Sequence, residues 1–377
     1  MATFLVVHPY LDIYGGGERV CHNVMETLLA HEQRVELLTF DFDSTRYKDI
    51  IGEEFPKDVE VHSLGRRVDA HHPFTIYKKY RRLAKLLSES REKLSYDYFF
   101  STQSSPPFEA VFLNNAKKNF AYVHFPEIHF EYDRAGLKRK VYLCLYKKWV
   151  EQGIGKLDMV FCNSNYIREM IERYWQSHGV KNPIVVYPPV NLGDFWCDRP
   201  LSERQKRVTY VARFIPSKRH EIMKRLAADL PSYEFVSVGG LLESEKEWFN
   251  KFSENLPRNY TLRTNLPRVD LLEVLRQSRV YVHLMEAEHF GIAPVEGLAS
   301  GCITLVHDSG GMREFIPKEF RWESYEDLKA KIVKYTELPN ESVNWENKRN
   351  HLWNKISVLD PTNFKDSIWS NVQTLLT

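Results

Sequence analysis

Two glutamates frame a glycine turn in the segment EAEHFGIAPVEGLASG, residues 286–301. Glu288 and Glu296 lie eight positions apart, and Gly291 and Pro294 stand between them. Proline suits the first position of a helix, because its missing N–H would be unpaired there in any case. We therefore expect a helix that begins at Pro294 and whose amino terminus faces an anion such as a phosphate. The two carboxylates would accept hydrogen bonds from hydroxyl groups of the same ligand.

The backbone of this turn and its two carboxylates have separate predicted roles. The N–H groups of Phe290, Gly291 and Ile292 would point at the anion, because they adjoin the amino terminus of the helix. Glu296 would lie in the first turn of the helix and bind a sugar diol, and Glu288 would reach a second set of hydroxyls. The structural alternative for Glu296 is a surface residue that only complements the helix dipole.

A run of three glycines, Gly15–Gly17, follows the first apolar segment in HPYLDIYGGGERV. Glycine lets backbone N–H groups approach a ligand closely, and the helix predicted from Glu18 onward adds a partial positive charge, so the run suits a phosphate or diphosphate. Two alternatives remain open. One is a tight turn without a ligand. The other is a nicotinamide cofactor with Glu36 on its ribose, although Val20 stands where the dinucleotide fingerprint needs glycine or alanine.

Three further side chains are predicted to face a ligand. His124 ends the strand segment in YVHFPE, and a purely structural histidine is the alternative there. Arg213 and Lys218 lie five positions apart in RFIPSK, and an arginine fork with a mobile lysine charge suits a diphosphate without a metal ion. The DFD sequence at 41–43 could bind a divalent cation, but we interpret it as a loop away from the other phosphate candidates.

These candidates need a scaffold that brings strand ends together. Short β-branched or aromatic segments alternate with amphipathic segments such as 76–94, which indicates parallel sheets with helices on both faces. The proline-rich segment 187–200 interrupts this alternation and is typical of a linker. We therefore predict an α/β protein with two Rossmann-like domains, 1–190 and 200–360, that face a cleft. The carboxyl-terminal helix, 361–377, would pack back toward the first domain.

The predicted strands hold the candidate residues at their carboxyl ends, where open parallel sheets bind ligands. The strand segments of the first domain are 4–10, 34–40, 59–65, 96–103, 119–125, 158–164 and 184–189. Those of the second domain are 207–214, 233–240, 260–266, 279–285 and 302–308.

Composition is that of a globular protein of two domains. Hydrophobic residues make up 43% and charged residues 27% of the 377 residues. A net charge of +2 gives no global attraction for nucleic acid, so no nucleic-acid partner is expected. Residues 61–150 hold 17 Lys and Arg against 8 Asp and Glu, an excess of +9 that suits either an anionic partner or solvated helix faces. Five scattered cysteines predict reduced thiols in the cytoplasm, and no apolar run reaches the roughly 18 residues of a membrane span.

Taken together, these motifs resemble a known family. EHFGIAPVE is similar to the E-x7-E motif of retaining family 4 glycosyltransferases, which have the GT-B fold. YGGGERV, VHFPE, NSNYI, YPP and RFIPSK occur in the order of that family, so the resemblance covers the chain from about residue 4 to 317. The first and last motifs look most similar to the dolichol-pathway α-1,2-mannosyltransferases. The eukaryotic members carry an amino-terminal membrane anchor, whereas this sequence opens directly on its first predicted strand.

The resemblance implies roles for the residues that would hold the phosphates of a nucleotide sugar. Arg213 and Lys218 would hold the donor diphosphate. Gly16 and Gly17 would bring backbone N–H groups to the distal phosphate.

The resemblance also implies roles for the residues near the sugar. Glu288, with the backbone of Phe290–Ile292, would grip the transferred sugar and its phosphate. Glu296 would bind the ribose hydroxyls, and His124 would lie beside the reacting face of the sugar. No protein nucleophile, metal ion or other cofactor is expected.

The activity implied by the resemblance is a hexosyl transfer, with mannose passing from GDP-mannose to a glycan or lipid-linked oligosaccharide. A UDP-sugar-dependent transferase, a sugar-nucleotide epimerase and a silent nucleotide-sugar binder are the alternatives. Residues 136–156 mix lysines and arginines with Tyr142, Tyr146 and Trp149, which suits an anionic membrane surface. We therefore expect a cytoplasmic protein, peripheral on the cytoplasmic membrane face, although an ordinary core-packed helix would show the same pattern.

Overall fold

The computed structural model describes residues 1–11, 15–66, 75–91, 94–103, 110–337 and 342–376. The chain divides into two compact units. Unit 1 comprises Met1–Pro189 and Pro361–Thr377, and unit 2 comprises Val190–Asp360. Each unit is built on its own parallel β-sheet, which confirms the predicted α/β class.

Unit 1 contains a seven-stranded sheet and the helices around it. Its strands are β1 (Thr3–Val7), β2 (Arg34–Thr39), β3 (Val59–Ser63), β4 (Tyr98–Ser101), β5 (Lys118–Val123), β6 (Met159–Cys162) and β7 (Ile184–Val185). Its helices are α1 (Gly17–Ala30), α2 (Ser44–Ile51), α3 (Thr75–Arg91), α4 (Glu127–Arg134), α5 (Leu137–Ile154), α6 (Asn165–Trp175) and, from the end of the chain, α14 (Pro361–Val372). The strand order is β3-β2-β1-β4-β5-β6-β7, and all neighbours are parallel.

Unit 2 contains a six-stranded sheet. Its strands are β8 (Gln205–Val211), β9 (Glu234–Gly239), β10 (Tyr260–Thr264), β11 (Ser278–Val282), β12 (Ile303–His307) and β13 (Arg321–Trp322). Its helices are α7 (Leu192–Phe195), α8 (His220–Asp229), α9 (Lys246–Ser253), α10 (Arg268–Gln277), α11 (Ile292–Ala299), α12 (Tyr325–Thr336) and α13 (Ser342–Ile356). The order is β10-β9-β8-β11-β12-β13, again with parallel neighbours.

The strands form where short apolar runs can be buried on both faces of a sheet. In β1, for example, Phe4, Leu5 and Val6 are all fully buried. Every predicted strand segment contains a strand, so those predictions are confirmed. Strand β13 was missed because two residues carry too little periodicity to be recognised. The boundary between the units falls within 187–200, which also holds the short helix α7.

Helix α14 packs on helix α1 within unit 1. Phe364, Ile368 and Val372 of α14 are buried in the same core cluster as the apolar face of α1. Trp369 stacks on His31 with ring centroids 4.0 Å apart. Helix α14 and helix α1 therefore contribute to one hydrophobic core in unit 1.

Helix α5 turns its aromatic residues inward. Tyr146 is buried, and Tyr142 and Trp149 pack against the same core cluster. The prediction that these aromatics face a membrane is therefore wrong for Tyr146, whereas Tyr142 and Trp149 are half-buried against the core. Among the described residues, no helix is long and apolar enough to cross a lipid bilayer.

Candidate functional site

The loop after β11 is held in place by the turn after β12. The Ala287 N–H donates to Ser309 Oγ at 2.7 Å, and the Gly311 N–H donates to the Glu288 carbonyl oxygen at 2.8 Å. Phe290 is 3% exposed and anchors the far end of the loop in the core. The protein itself therefore fixes the backbone of this predicted ligand-binding loop.

Glu288 has well-defined partners in this loop. One carboxylate oxygen accepts from His283 Nε2 at 2.9 Å, and the other accepts the His289 N–H at 3.1 Å. Burial disfavours the charge of Glu288, but the His283 hydrogen bond and the charges of His283 and Lys218 outweigh burial and lower the pKa of Glu288 well below its usual range. Its side chain is still 19% exposed, so a charged carboxylate remains open to ligand hydroxyls.

Helix α11 begins at Ile292, two residues before the predicted start at Pro294. Gly291 precedes the helix with φ 91°, the left-handed region that favours glycine, and as the N-cap residue it has no side chain to cap the helix. Pro294 is third in the helix, where its missing N–H is still one of the four without an intrahelical partner. The predicted start was wrong because proline is tolerated throughout the first turn.

Glu296 lies fifth in α11, just past the first turn, and is 5% exposed. Both the placement in the first turn and the surface alternative are therefore wrong. The next residue, Gly297, lies so close to Tyr281 of β11 that a Cβ there would be 2.6 Å from Tyr281 Cγ. This close approach of helix and strand sets the position of Glu296.

The loop after β8 carries both predicted cations. Its Ala212 N–H donates to the Val238 carbonyl oxygen at 2.9 Å, so the loop starts as an extension of the sheet. The Arg213 guanidinium and the Lys218 ammonium have no ion pair or hydrogen bond within the described parts of the chain. Lys218 lies close enough to Glu288 for its charge to lower the pKa of that carboxyl. The structure thus places the Lys218 ammonium within electrostatic range of the Glu288 carboxylate.

In unit 1, two histidines bond to the same threonine. His124 Nε2 donates to the Thr102 carbonyl oxygen at 2.9 Å, and His8 Nδ1 lies 2.9 Å from Thr102 Oγ1. A Cβ at Gly17 would lie 3.4 Å from His8 Cε1 and 3.6 Å from His124 Nε2. Burial, with the neighbouring His124, lowers the pKa of His8 to about 3, so His8 is neutral. The structure places Gly17 beside His124 and adds His8 to the same site. His8 directly follows β1, so its place at a strand end is the feature of the sequence that would have predicted it.

The amino terminus of α1 is more acidic than predicted. Helix α1 begins at Gly17, and the residue at its N-cap position, Gly16, has no side chain to cap the helix. Glu18 is 5% exposed, and a Cβ at Gly15 would lie 2.9 Å from its carboxylate. The preceding residues 12–14 of the predicted glycine loop lie outside the described residues. A phosphate at this terminus would face the Glu18 carboxylate, and binding by Gly16 and Gly17 stays a prediction.

Three groups of side chains in unit 1 are compact enough to suggest a metal ion. They are His129, Glu151 and His178; His22, Glu26 and Glu53; and Glu36, Glu60 and His62. In the first group, His129 Nδ1 accepts from the Trp175 indole at 3.2 Å, and an indole can only donate. The neutral His129 ring therefore carries its proton on Nε2, the atom 3.7 Å from Glu151, and has no lone pair there for a metal.

In each of the other two groups a basic residue pairs with a carboxylate. Lys365 Nζ lies 2.6 Å from Glu26, and Arg34 Nη2 lies 3.2 Å from Glu36. Glu36 also sits in the middle of β2 and not at its end, so its alternative role on a cofactor ribose is wrong. Asp43 of the DFD sequence caps α2 by accepting a backbone N–H at 2.9 Å, as a loop residue would. These contacts favour ion pairs and caps over metal binding.

Two protein-family models match consecutive parts of the chain. The model described as Glycosyltransferase Family 4 matches residues 14–194, and the model described as Glycosyl transferases group 1 matches residues 198–351. The chain is a family 4 glycosyltransferase. The predicted family is confirmed, and the glycosyltransferase carries its E-x7-E segment, Glu288–Glu296, within the second match.

The glycosyltransferase is similar to proteins named GDP-Man:Man(3)GlcNAc(2)-PP-Dol alpha-1,2-mannosyltransferase. It is 24% identical over 359 residues to that of Candida glabrata, covering 81% of this chain and 68% of the relative. It is 24% identical over 375 residues to that of Caenorhabditis elegans, covering 84% and 78%. With the human protein the identity is 31% over 202 residues, covering 47% and 40%.

Solved structures share the fold of the glycosyltransferase. Sucrose-phosphate synthase from Thermosynechococcus elongatus has a TM-score of 0.73 at 17% identity, covering 100% of this chain and 99% of that one. HepE from Anabaena, in complex with UDP and glucose, has a TM-score of 0.70 at 14% identity, covering 99% and 100%. At these identities the likeness shows the fold alone, and that fold is the predicted GT-B architecture of two Rossmann-like domains.

Proposed function

We propose that this protein transfers mannose from GDP-mannose to a lipid-linked oligosaccharide and retains the anomeric configuration. The relatives compared above carry GDP-mannose and a mannosylated dolichol diphosphate in their names. The observation that carries the proposal lies in unit 2, where the loops after the neighbouring strands β8 and β11 carry a Lys218 ammonium, unpaired within the described chain, and a Glu288 carboxylate held by His283 at 2.9 Å. A free cation suits a diphosphate, and a carboxylate beside it suits the hydroxyls of the attached sugar.

In this mechanism the protein chiefly stabilises the departing diphosphate. Arg213 and Lys218 bind its oxygens, and the Phe290–Ile292 backbone at the start of α11 adds hydrogen bonds. Glu288 holds hydroxyls of the transferred sugar, and Glu296 holds those of the ribose. The bond from the anomeric carbon to phosphate breaks as the bond to the acceptor oxygen forms on the same face. The leaving phosphate takes the acceptor proton, so no protein nucleophile is needed.

The residues of unit 1 keep the roles that the family resemblance implies. His124 lies beside the sugar, and Gly16 and Gly17 donate backbone N–H groups to the distal phosphate. The proposal includes no metal ion or other cofactor, because two cations suffice to balance a diphosphate.

A nucleotide-sugar panel in EDTA tests the donor. A ligand at about 100 times its dissociation constant should stabilise the folded state by roughly 2.7 kcal/mol, which a thermal shift detects. GDP and GDP-mannose should both raise Tm, and UDP-glucose should not. A shift with UDP-sugars alone would retain the transferase and replace the donor.

Product analysis separates the transferase from the alternatives. Incubation with GDP-mannose and a mannosylated lipid acceptor should release GDP and lengthen the glycan by one mannose. Conversion of GDP-mannose to another GDP-sugar without GDP release would indicate the epimerase. Binding without any product would indicate a silent binder.

The acceptor leads us to propose that helix α5 docks on an anionic membrane. Leu137, Val141 and Leu145 recur every four residues on its outer face and are 79%, 71% and 50% exposed. Lys148 follows on the same face at helical spacing and is also exposed. An apolar stripe with basic neighbours suits the headgroup region of an anionic bilayer. All five cysteines are free, in keeping with a cytoplasmic membrane face.

Liposome flotation tests the α5 surface. Val141→Asp should remove the protein from vesicles that contain phosphatidylserine, because it puts a carboxylate into the apolar stripe. Val269→Asp is the matched control, since Val269 is 69% exposed on a helix of unit 2. Equal flotation of both variants, or no flotation of the unchanged protein at low salt, would contradict the membrane proposal.

A further inference from the structure

Three buried polar side chains lie together under the ligand-binding loops of unit 2. Tyr210, His220 and His283 are each 4% exposed or less. The Tyr210 ring neighbours both imidazoles, with its centroid 5.1 Å from that of His220 and 6.2 Å from that of His283. We call these three residues the support layer.

Two members of the support layer bond to the loop that carries the predicted cations. The Tyr210 hydroxyl donates to the Lys218 carbonyl oxygen at 2.7 Å. His220 Nε2 donates to the Arg213 carbonyl oxygen at 3.0 Å. The backbone is thus fixed at the two positions whose side chains are unpaired within the described chain, and the four residues between them, 214–217, are held at both ends.

The third member bonds to the other loop. His283 Nε2 donates to the Glu288 carboxylate at 2.9 Å, and the His283 carbonyl accepts from the Trp322 indole at 3.3 Å. His283 therefore orients the carboxylate that the proposed mechanism places on the sugar.

The two histidines are built as hydrogen-bond donors. Each donates from Nε2, and neither buried Nδ1 has a partner within the described chain. For His220, a protonated ring would bury an unpaired N–H, which is unfavourable. Burial lowers the pKa of His220 to about 4, so that ring is neutral at physiological pH. Apolar residues could fill the same space without leaving nitrogens unpaired. Packing alone therefore does not explain why polar side chains occupy these positions.

We propose that the support layer holds Arg213, Lys218 and Glu288 in their ligand-binding positions before the nucleotide sugar arrives. Tyr210, His220 and His283 are thus positioning residues, which act through their neighbours without touching the substrate. Such preorganisation strengthens diphosphate binding because less ordering is left for the binding step. This inference rests on the proposed function for the identity of the ligand, and on the structure for the contacts.

Calorimetry with GDP tests the support layer. Tyr210→Phe removes one hydroxyl and keeps the ring, and it should weaken GDP binding roughly 2- to 10-fold, the range of one lost hydrogen bond. Tyr260→Phe is the matched control, because the buried Tyr260 hydroxyl bonds to Ser237 Oγ at 2.7 Å in the same sheet and reaches neither loop. The control should lower Tm and leave GDP affinity unchanged.

A pair of His220 variants supplies a rescue test. His220→Gln places an amide N–H near the position of Nε2 and should keep most of the GDP affinity, whereas His220→Phe removes the donor and should lose it. The KM for GDP-mannose should follow GDP affinity, with a smaller change in kcat, because the diphosphate is bound in the ground state.

The outcomes separate the two proposals. Equal GDP affinity in Tyr210→Phe and Tyr260→Phe, with only Tm reduced, would reject the support layer and leave the mannosyltransferase untouched. If the unchanged protein binds UDP in place of GDP, GDP-mannose is rejected as the donor. The same variants, measured with UDP, then test whether the support layer strengthens nucleotide binding. Binding of neither nucleotide would overturn both.

Discussion

Replacing Gly297 with alanine would test whether close packing of α11 positions the site. Alanine in place of glycine stabilises an unobstructed helix by about 1 kcal/mol. In this protein the new Cβ would lie 2.6 Å from Tyr281 Cγ and 2.7 Å from Cδ2. Carbon atoms in contact are about 3.6 Å apart, so helix or ring must move by about 1 Å. Tyr281 is fully buried, so we expect the helix to move.

The displacement should harm activity more than stability. Overpacking costs about 1–3 kcal/mol, and the gain in helix propensity offsets about 1 kcal/mol of that, which leaves a net loss of about 0–2 kcal/mol. A misplacement of about 1 Å in a binding residue can lower catalysis roughly 100-fold. Because Glu296 adjoins Gly297, we expect Gly297→Ala to reduce kcat/KM for GDP-mannose by about that factor.

Initial rates and urea unfolding of Gly297→Ala and a control variant test whether the packing of α11 positions Glu296. Gly193→Ala is the control, since Gly193 is also helical and a Cβ there meets nothing within 4 Å. The control should be as stable as the unchanged protein or slightly more so, with full activity. If Gly297→Ala behaves like Gly193→Ala in both assays, the close approach of α11 to β11 does not position Glu296, and the reasoning fails.

Three further predictions concern charge. Lys218→Ala should raise the dissociation constant of GDP roughly 10- to 100-fold, since a hydrogen bond to a charged group contributes about 1.5–3 kcal/mol. Lys246→Ala is the control and should leave that constant unchanged, because it breaks only an exposed 2.7 Å pair with Glu243. Equal effects of the two variants would contradict the assignment of Lys218 to the diphosphate. Burial lowers the pKa of His220 to about 4, so between pH 6.5 and 4 the unfolded chain binds a proton at this residue and the folded chain does not. The unfolding free energy should therefore fall by up to about 3 kcal/mol as pH drops through this window. If the pH dependence of the unfolding free energy is the same in His220→Gln, His220 is not its cause. Mannosyl transfer should proceed at the same rate in excess EDTA, and a loss restored by Mg²⁺ or Mn²⁺ would refute the metal-independent mechanism.

The meeting of Lys218 and Glu288 could be predicted because it follows from topology. The two residues lie in the loops after β8 and β11, and these strands are neighbours in the sheet. Parallel strands bring their carboxyl ends to one edge, so loops after neighbouring strands converge. The same argument places His124 after β5 near Gly17 after β1, with Thr102 after the intervening β4 bonded to His124.

The remaining features depend on which face of an element is buried, and the sequence alone does not determine that. Helix α5 has apolar residues around much of its surface, so its pattern does not tell whether Tyr146 or Val141 points inward. The burial of Glu296 depends on Gly297 pressing α11 against β11, a contact between segments with no recognisable pairing signal. The role of His220 likewise appears only once its Nε2 is seen on the Arg213 carbonyl.

The packing of α14 on α1 sets an order for the synthesis of this chain. The ribosome delivers residues 1–189 first, but the core around α1 lacks its last buried members until Phe364 and Ile368 have emerged. Unit 2, by contrast, is contiguous and can close its core as soon as it is complete. A chain that stops before Pro361 would therefore display a folded second unit beside an open first core. Chaperones and proteases recognise such exposed apolar surface, so docking of α14 would protect unit 1 from both.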